Sequence, residues 1–232
     1  MMATGFVAKG ASVVIASRKA AACADTAREL SNYGECVGVP ADLSTIEGVQ
    51  RLASEVGDLW EGRLDVLINN AGAVWGEPIE EFSELGWDKV VDLNLKSVFF
   101  LSQQVLPFLR GSATREEPSR VINVASIDGL RAPEVETFSY SASKAGVIHL
   151  TRHLAKRLVS DNINVNAIAP GLFPSKMTEP LLGNPGVIGA IPQRRAGTLE
   201  DMAGTAIYLA SRASRYMTGQ VLTVDGGITG LG

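Results

Sequence analysis

Tyr140 and Lys144 stand four residues apart in a stretch of helical character, so both side chains leave one face of a helix. An ammonium beside a phenol favours the phenolate and lowers the phenol pKa. Bringing a phenol from its ordinary value into the neutral range takes roughly 4 kcal/mol. One charge about 5 Å away, at an effective dielectric near 20, supplies roughly 3 kcal/mol. A neighbouring lysine is thus nearly sufficient, and the tyrosine becomes a candidate general acid or base. By itself the pair reads equally as a surface contact.

Other chemistry-bearing residues follow apolar runs. Ser126 comes just after Arg120–Val124, and its hydroxyl is placed to hydrogen-bond a substrate oxygen. It does not read as a nucleophile, because ASIDG is not a G-x-S-x-G elbow and no His–Asp pair is spaced to activate it. Its other reading is a cap on the following turn. Asn69-Asn70-Ala71-Gly72 follows Val66–Ile68, and Asn and Gly there let a flat ligand approach the backbone. Asp42 follows Cys36–Val39, and Pro170-Gly171 follows Ile163–Ile168. Hydrogen-bonding or turn-forming residues therefore sit at four run ends.

The elements that position them alternate. Strands are expected at Ser12–Ala16, Cys36–Val39, Val66–Ile68, Arg120–Val124, Ile163–Ile168 and Val221–Val224. Helices are expected from Met1 to Lys9 with Gly10 as the stop, and at Lys19–Leu30, Thr45–Val56, Gly86–Leu109, Phe138–Val159 and Glu200–Ala210. Apolar strands alternating with helices imply an α/β fold, a doubly wound parallel sheet covered on both faces. Ligands of such sheets bind beyond the carboxyl ends of the strands. Gly111–Pro118 reads as a solvated loop. Residues 170–192 hold five of the ten prolines and read as a substrate lid loop.

The 232 residues suit a single domain over 1–232, and 46% hydrophobic content excludes disorder. A net charge of -4 excludes a sequence-wide footprint for nucleic acid or anionic membrane, and no apolar run is long enough for a membrane span. Cys23 and Cys36 can form neither a disulfide framework nor a four-ligand zinc site, and they fit a reducing, cytoplasmic compartment. The Ala- and Ser-rich opening, with no acid before Asp25, is also compatible with a transit peptide. His149 and His153 are spaced like zinc ligands but lack a third partner, so no metal is expected.

Taken in order, Asp42, NNAG at 69–72, Asn94 in DLNLKS, Ser126, Tyr140-x-x-x-Lys144 and Pro170-Gly171 with Ser175 and Met177 resemble the short-chain dehydrogenases/reductases over almost the whole chain. The resemblance implies a Rossmann-like fold in which Tyr140 donates a proton to a carbonyl held by Ser126. It implies that Lys144 lowers the tyrosine pKa and binds the nicotinamide ribose, and that Asn94 anchors a relay water. Asp42 would contact adenine, Asn69, Ala71 and Gly72 would line the cofactor, Pro170 and Gly171 would flank it, and Ser175 would meet the carboxamide. A homotetramer or homodimer is implied, built on the helices around Gly86–Leu109 and Phe138–Val159.

An acid at the end of the second family strand selects NAD by accepting the ribose 2′-OH. This chain has Ser17-Arg18-Lys19 there, and a guanidinium suits the 2′-phosphate of NADP(H). The expected activity is NADPH-dependent reduction of a ketone to a secondary alcohol. SIDGLR, FPSKMT and WDKVVDLNLKSVFF resemble the 3-oxoacyl-thioester reductases, including the rhamnolipid-pathway type. Trp75, Phe173 and Met177 are candidate substrate contacts, with core packing the alternative for Trp75 and Phe173. The same residues running in reverse would oxidise an alcohol.

Family members open with a strand and a T-G-x-x-x-G-x-G turn whose N–H groups cradle the pyrophosphate. No such turn precedes SVVIA. The chain therefore reads as N-terminally truncated or as a fragment, short by about 15 to 25 residues on family spacing. The expected consequence is a sheet without its central strand, with unpaired backbone between the runs at Ser12 and Val66 and the main phosphate site lost. A non-catalytic protein acting through assembly is the rival reading.

Overall fold

The computed structural model describes residues 1–231. Its strands are β1 (Val13–Ser17), β2 (Cys36–Pro40), β3 (Val66–Asn69), β4 (Ser119–Val124), β5 (Ile163–Pro170) and β6 (Val221–Val224). Every pairing is parallel, as strands joined by helical crossovers allow. The strands form two sheets: a four-stranded one in the order β3-β4-β5-β6, and the separate pair β1-β2. β1 and β3 thus each have one edge without a strand partner, the break expected between the runs at Ser12 and Val66.

The two sheets differ in burial. All residues of β4 and β5 are buried except the last of each, whereas β1 has no buried residue and β3 has only Asn69. They are joined through side chains. Val14 and Val37 pack on a core that also holds Val121, Ile163 and Val165. The short helix α1 (Met2–Val7) bridges the opposite face. Its Ala3 and Val7 pack with Val13 and Ile15, while Met2 and Phe6 reach a cluster containing Ile122, Ile168, Val66 and Ile68. Gly5 permits this, because a Cβ there would lie 2.7 Å from the Ala203 Cβ on the neighbouring helix. Gly10, with φ at +83°, ends that first helical segment and turns the chain into β1.

The remaining helices are α2 (Ala20–Leu30), α3 (Ile46–Leu59), α4 (Glu84–Val91), α5 (Ser97–Gln104), α6 (Leu106–Ser112), α7 (Phe138–Leu158), α8 (Glu179–Leu182), α9 (Pro185–Ala190) and α10 (Leu199–Ala210). Two expectations are corrected. The single helix expected over Gly86–Leu109 is three helices, interrupted by a widened π turn at Asp92–Lys96 and by a break at Val105. Pro107, in the first turn of α6, lacks the N–H that would continue the previous helix. The lid expected at 170–192 is not one loop: it carries α8 and α9, each with a proline in its first turn, and Asn184 caps α9.

Candidate active site

The site is built on the well-buried sheet. A polar chain through its interior ties the strands to the helices behind them. Asn69 donates to Asn123 Oδ1 at 2.9 Å and to Ser102 Oγ at 3.2 Å, and Asn123 donates to Thr151 Oγ1 at 2.9 Å. Asn123 and Thr151 are fully buried, so every polar group in this chain needs its partner. β3, β4, α5 and α7 are thereby held in one register. The Asn69 side-chain amide is committed to this network.

Asn94 lies in the π turn between α4 and α5, a kind of helix defect that often marks functional positions. It is 1% exposed. Its Oδ1 accepts from Ala73 N at 2.8 Å, and its Nδ2 donates to Ala73 O at 3.0 Å and to Ser143 Oγ at 3.1 Å. Asn94 therefore clamps the loop after β3 onto α7. A Cβ on Gly72 in that loop would lie 3.4 Å from Asn94 Oδ1 and 3.7 Å from Lys144 Nζ. The exposed glycine backbone runs directly over the lysine.

Lys144 is 4% exposed and donates to Val124 O at 2.8 Å, at the end of β4. Burial lowers its pKa to about 8. Its Nζ stands 5.7 Å from the centre of the Tyr140 ring. Tyr140 departs from the sequence argument. Its pKa is raised: burial is the largest cause, the Ser126 hydroxyl acts in the opposite direction, and the Asp128 charge adds to the rise. The lysine was expected to pull the phenol down. In this structure the lysine is held on a backbone carbonyl, and desolvation of the phenol is the largest influence on its pKa.

Ser126 is 7% exposed, and its Oγ accepts from Asp128 N at 3.1 Å. The capping reading is seen directly: Ser126 caps the short 3-10 turn Ile127–Gly129, and its hydroxyl lies beside Tyr140. Gly129 packs on the α7 backbone, where a Cβ would be 2.6 Å from the Lys144 carbonyl carbon. Asp128 was not singled out in the sequence. The available signal was an acid two residues past Ser126.

Other predicted positions lie apart from this cluster. Ser17 ends β1, Arg18 follows it and Asp42 follows β2, so all three belong to the separate pair. Burial pushes the Asp42 carboxyl up, but the Ser44 hydroxyl and N–H and the Arg18 charge together hold it below its usual value. Ser44 donates from Oγ at 2.7 Å and from N at 3.0 Å. Gly48 lets α3 close on this corner, since a Cβ there would be 1.8 Å from the Asp42 carbonyl oxygen. Pro170 ends β5, and Gly171 N donates to Val224 O at 2.9 Å. Ser175 is exposed and pairs with Thr178 at 2.9 Å. Ala71 is half-buried and Met177 is exposed. Trp75 packs against Gly86, with Lys89 Nζ 4.2 Å above its ring. Phe173 is 7% exposed, packed beside Gly197 and clustered with Ile122, Ile168 and Met202.

A doubly wound parallel sheet that sets a serine and a Tyr-x-x-x-Lys pair at its carboxyl ends defines a class of oxidoreductases. Residues 1–229 match the family model described as enoyl-(acyl carrier protein) reductase. The chain belongs to the short-chain dehydrogenase/reductase family. It is 49% identical over 231 residues to the rhamnolipids biosynthesis 3-oxoacyl-[acyl-carrier-protein] reductase of Pseudomonas aeruginosa, covering 98% of this chain and 90% of that one. It is 39% identical to the 2-dehydro-3-deoxy-D-gluconate 5-dehydrogenase of Dickeya dadantii, over 82% of this chain and 75% of the relative. A structure titled Pseudomonas aeruginosa RhlG/NADP active-site complex superposes with a TM-score of 0.94 at 48% identity, covering 98% and 90% of the two chains.

A nicotinamide cofactor would find fitting residues at both ends. At one end, Gly72 leaves open backbone beside the buried Lys144 ammonium. At the other, an exposed Arg18 follows β1, and its charge is felt by Asp42. Both ends fit. Between β1 and β3 the described residues offer no glycine-rich turn for the pyrophosphate. No helix of the structure is long and apolar enough to cross a membrane.

Proposed function

We propose that this chain reduces the ketone of a 3-oxoacyl thioester to a secondary alcohol with NADPH. The observation that supports the reading is the half-buried Tyr140 on α7, with the buried Ser126 and Lys144 beside it at the end of β4. The 49% identity to a 3-oxoacyl-[acyl-carrier-protein] reductase supports the substrate class, and the likeness to an NADP complex supports the cofactor. NADPH, when bound, supplies the hydride. Ser126 donates a hydrogen bond to the ketone oxygen and orients it, and Tyr140 gives that oxygen a proton as the alkoxide develops. Lys144, fixed by Val124, holds the nicotinamide ribose and restores the proton, while Asn94 keeps the Ala71–Ala73 loop in place. Arg18 and Ser17 take the 2′-phosphate through charge-assisted hydrogen bonds, and Asp42 the adenine. Gly171 and Ser175 hold the carboxamide side. Trp75 and Met177 border the acyl chain.

Tyr140→Phe is expected to lower kcat by at least about a hundredfold, the low end of what a positioned acid contributes. NADPH affinity, read by nicotinamide fluorescence, should stay within about threefold. Retained turnover sinks the assignment. The exposed apolar side chains Trp87, Phe99 and Phe138 support assembly into a dimer or tetramer through α4, α5 and α7.

A further inference from the structure

Asp128 has no part in the reduction described above, yet the structure fixes it at the site. It sits on the turn that Ser126 caps, and its backbone N–H is the donor to Ser126 Oγ. That turn cannot swing away, because Gly129 lies against the backbone of Lys144 and Ala145 with no room for a Cβ. The carboxylate is half-buried and accepts no side-chain or backbone hydrogen bond among the described residues. Its charge is felt at the Tyr140 phenol. Burial raises the Asp128 carboxyl, and Arg131 acts against that rise.

A partly desolvated carboxylate without a donor of its own repels a second anion placed alongside and tolerates a neutral group. We propose that Asp128 is a specificity-determining residue that excludes substrates with a carboxylate close to the ketone, so that the site takes neutral esters and thioesters of 3-oxo acids over the free acids. The proposal deepens the thioester-reductase reading and rests on it. Two cations oppose the exclusion. Lys144 is already engaged by Val124 O, and Arg131 is exposed and screened by solvent.

The test compares the wild type with Asp128→Asn and Asp128→Ser at pH 8. The probes are 3-oxooctanoate and its methyl ester. NADPH oxidation reads turnover, and saturation-transfer NMR reads binding without turnover. The wild type should favour the ester, and both variants should raise the acid-to-ester ratio of kcat/KM on the order of tenfold. The two variants guard against a folding artefact, since both keep the backbone N–H that Ser126 uses. A ratio that stays the same in wild type and variants, in rate and in binding, overturns the proposal. If the wild type turns over neither probe but binds the ester over the acid, and the variants lose that preference, the reductase reading falls and the exclusion stands.

Discussion

The four-stranded sheet and the β1-β2 pair are made of similar residues and solve different problems. β4 and β5 are buried along nearly their whole length, paired on both sides, and backed by the Asn69–Asn123–Thr151 chain. β1 is apolar as well, yet half of its backbone has no strand partner, and its last two residues are exposed. Side-chain packing through α1 and the shared core holds the pair in place, with no hydrogen-bonded ladder to the larger sheet. The residues proposed for proton transfer sit on the well-buried half. The groups suited to the far end of a cofactor sit on the half where a two-stranded sheet alone is marginal.

Core truncation gives the sharpest test of that contrast. Ile168→Ala, in fully buried β5, should cost about 3 kcal/mol in urea unfolding. Val14→Ala, in half-buried β1, should cost about 1 kcal/mol or less. Amide exchange should follow the same order, with β1 opening well before β5. Equal costs, or matched protection of the two strands, would break the comparison and imply one cooperative sheet.

This contrast was partly legible beforehand. Short β-branched runs such as VVIA and VINV mark strands, and their lack of a polar face marks parallel pairing. What escaped was set by distance in the chain. Nothing near Asn69 announces that Asn123 and Thr151 take up its amide, and no local rule separates Phe173 as core from Phe173 as pocket. The π turn at Asp92–Lys96 has no sequence signature comparable to Pro107. The Tyr140 argument failed for another reason. Spacing placed the ammonium near the phenol, but burial, which sequence does not show, reversed the net direction of the shift.

Cofactor choice tests the weaker half directly. Arg18→Ala should weaken NADPH by about 2 kcal/mol, or roughly thirtyfold, as expected for charge-assisted hydrogen bonds to a phosphate. NADH, without that phosphate, should change by less than about threefold. Nicotinamide fluorescence titration of both cofactors reads the difference. An equal loss for the two would mean that Arg18 supports the β1-β2 corner, where its charge also reaches Asp42, and does not discriminate between cofactors.

The smallest expected effect concerns α10, which packs against α1 and so helps to anchor the pair to the larger sheet. Thr198 and Asp201 form a reciprocal capping box at its start, and Arg195 pairs with the same carboxylate at 2.6 Å. The Arg195 hydrogen bond, then the Thr198 N–H, lower the Asp201 pKa from 3.8 to about 2. A carboxyl depressed in the folded state stabilises it above the unfolded value and loses that contribution as pH falls towards the folded one. Asp201→Ala should therefore cost about 1 kcal/mol, mostly through the lost cap, because an exposed ion pair adds little. The cost should hold steady from pH 8 to 5 and shrink between pH 4 and 2. If the cap also secures the α1 bridge, amide protection in β1 should fall in this variant while β5 is unchanged. A uniform loss across both sheets would show that α10 stabilises the fold as a whole, with no special part in tying β1 to it.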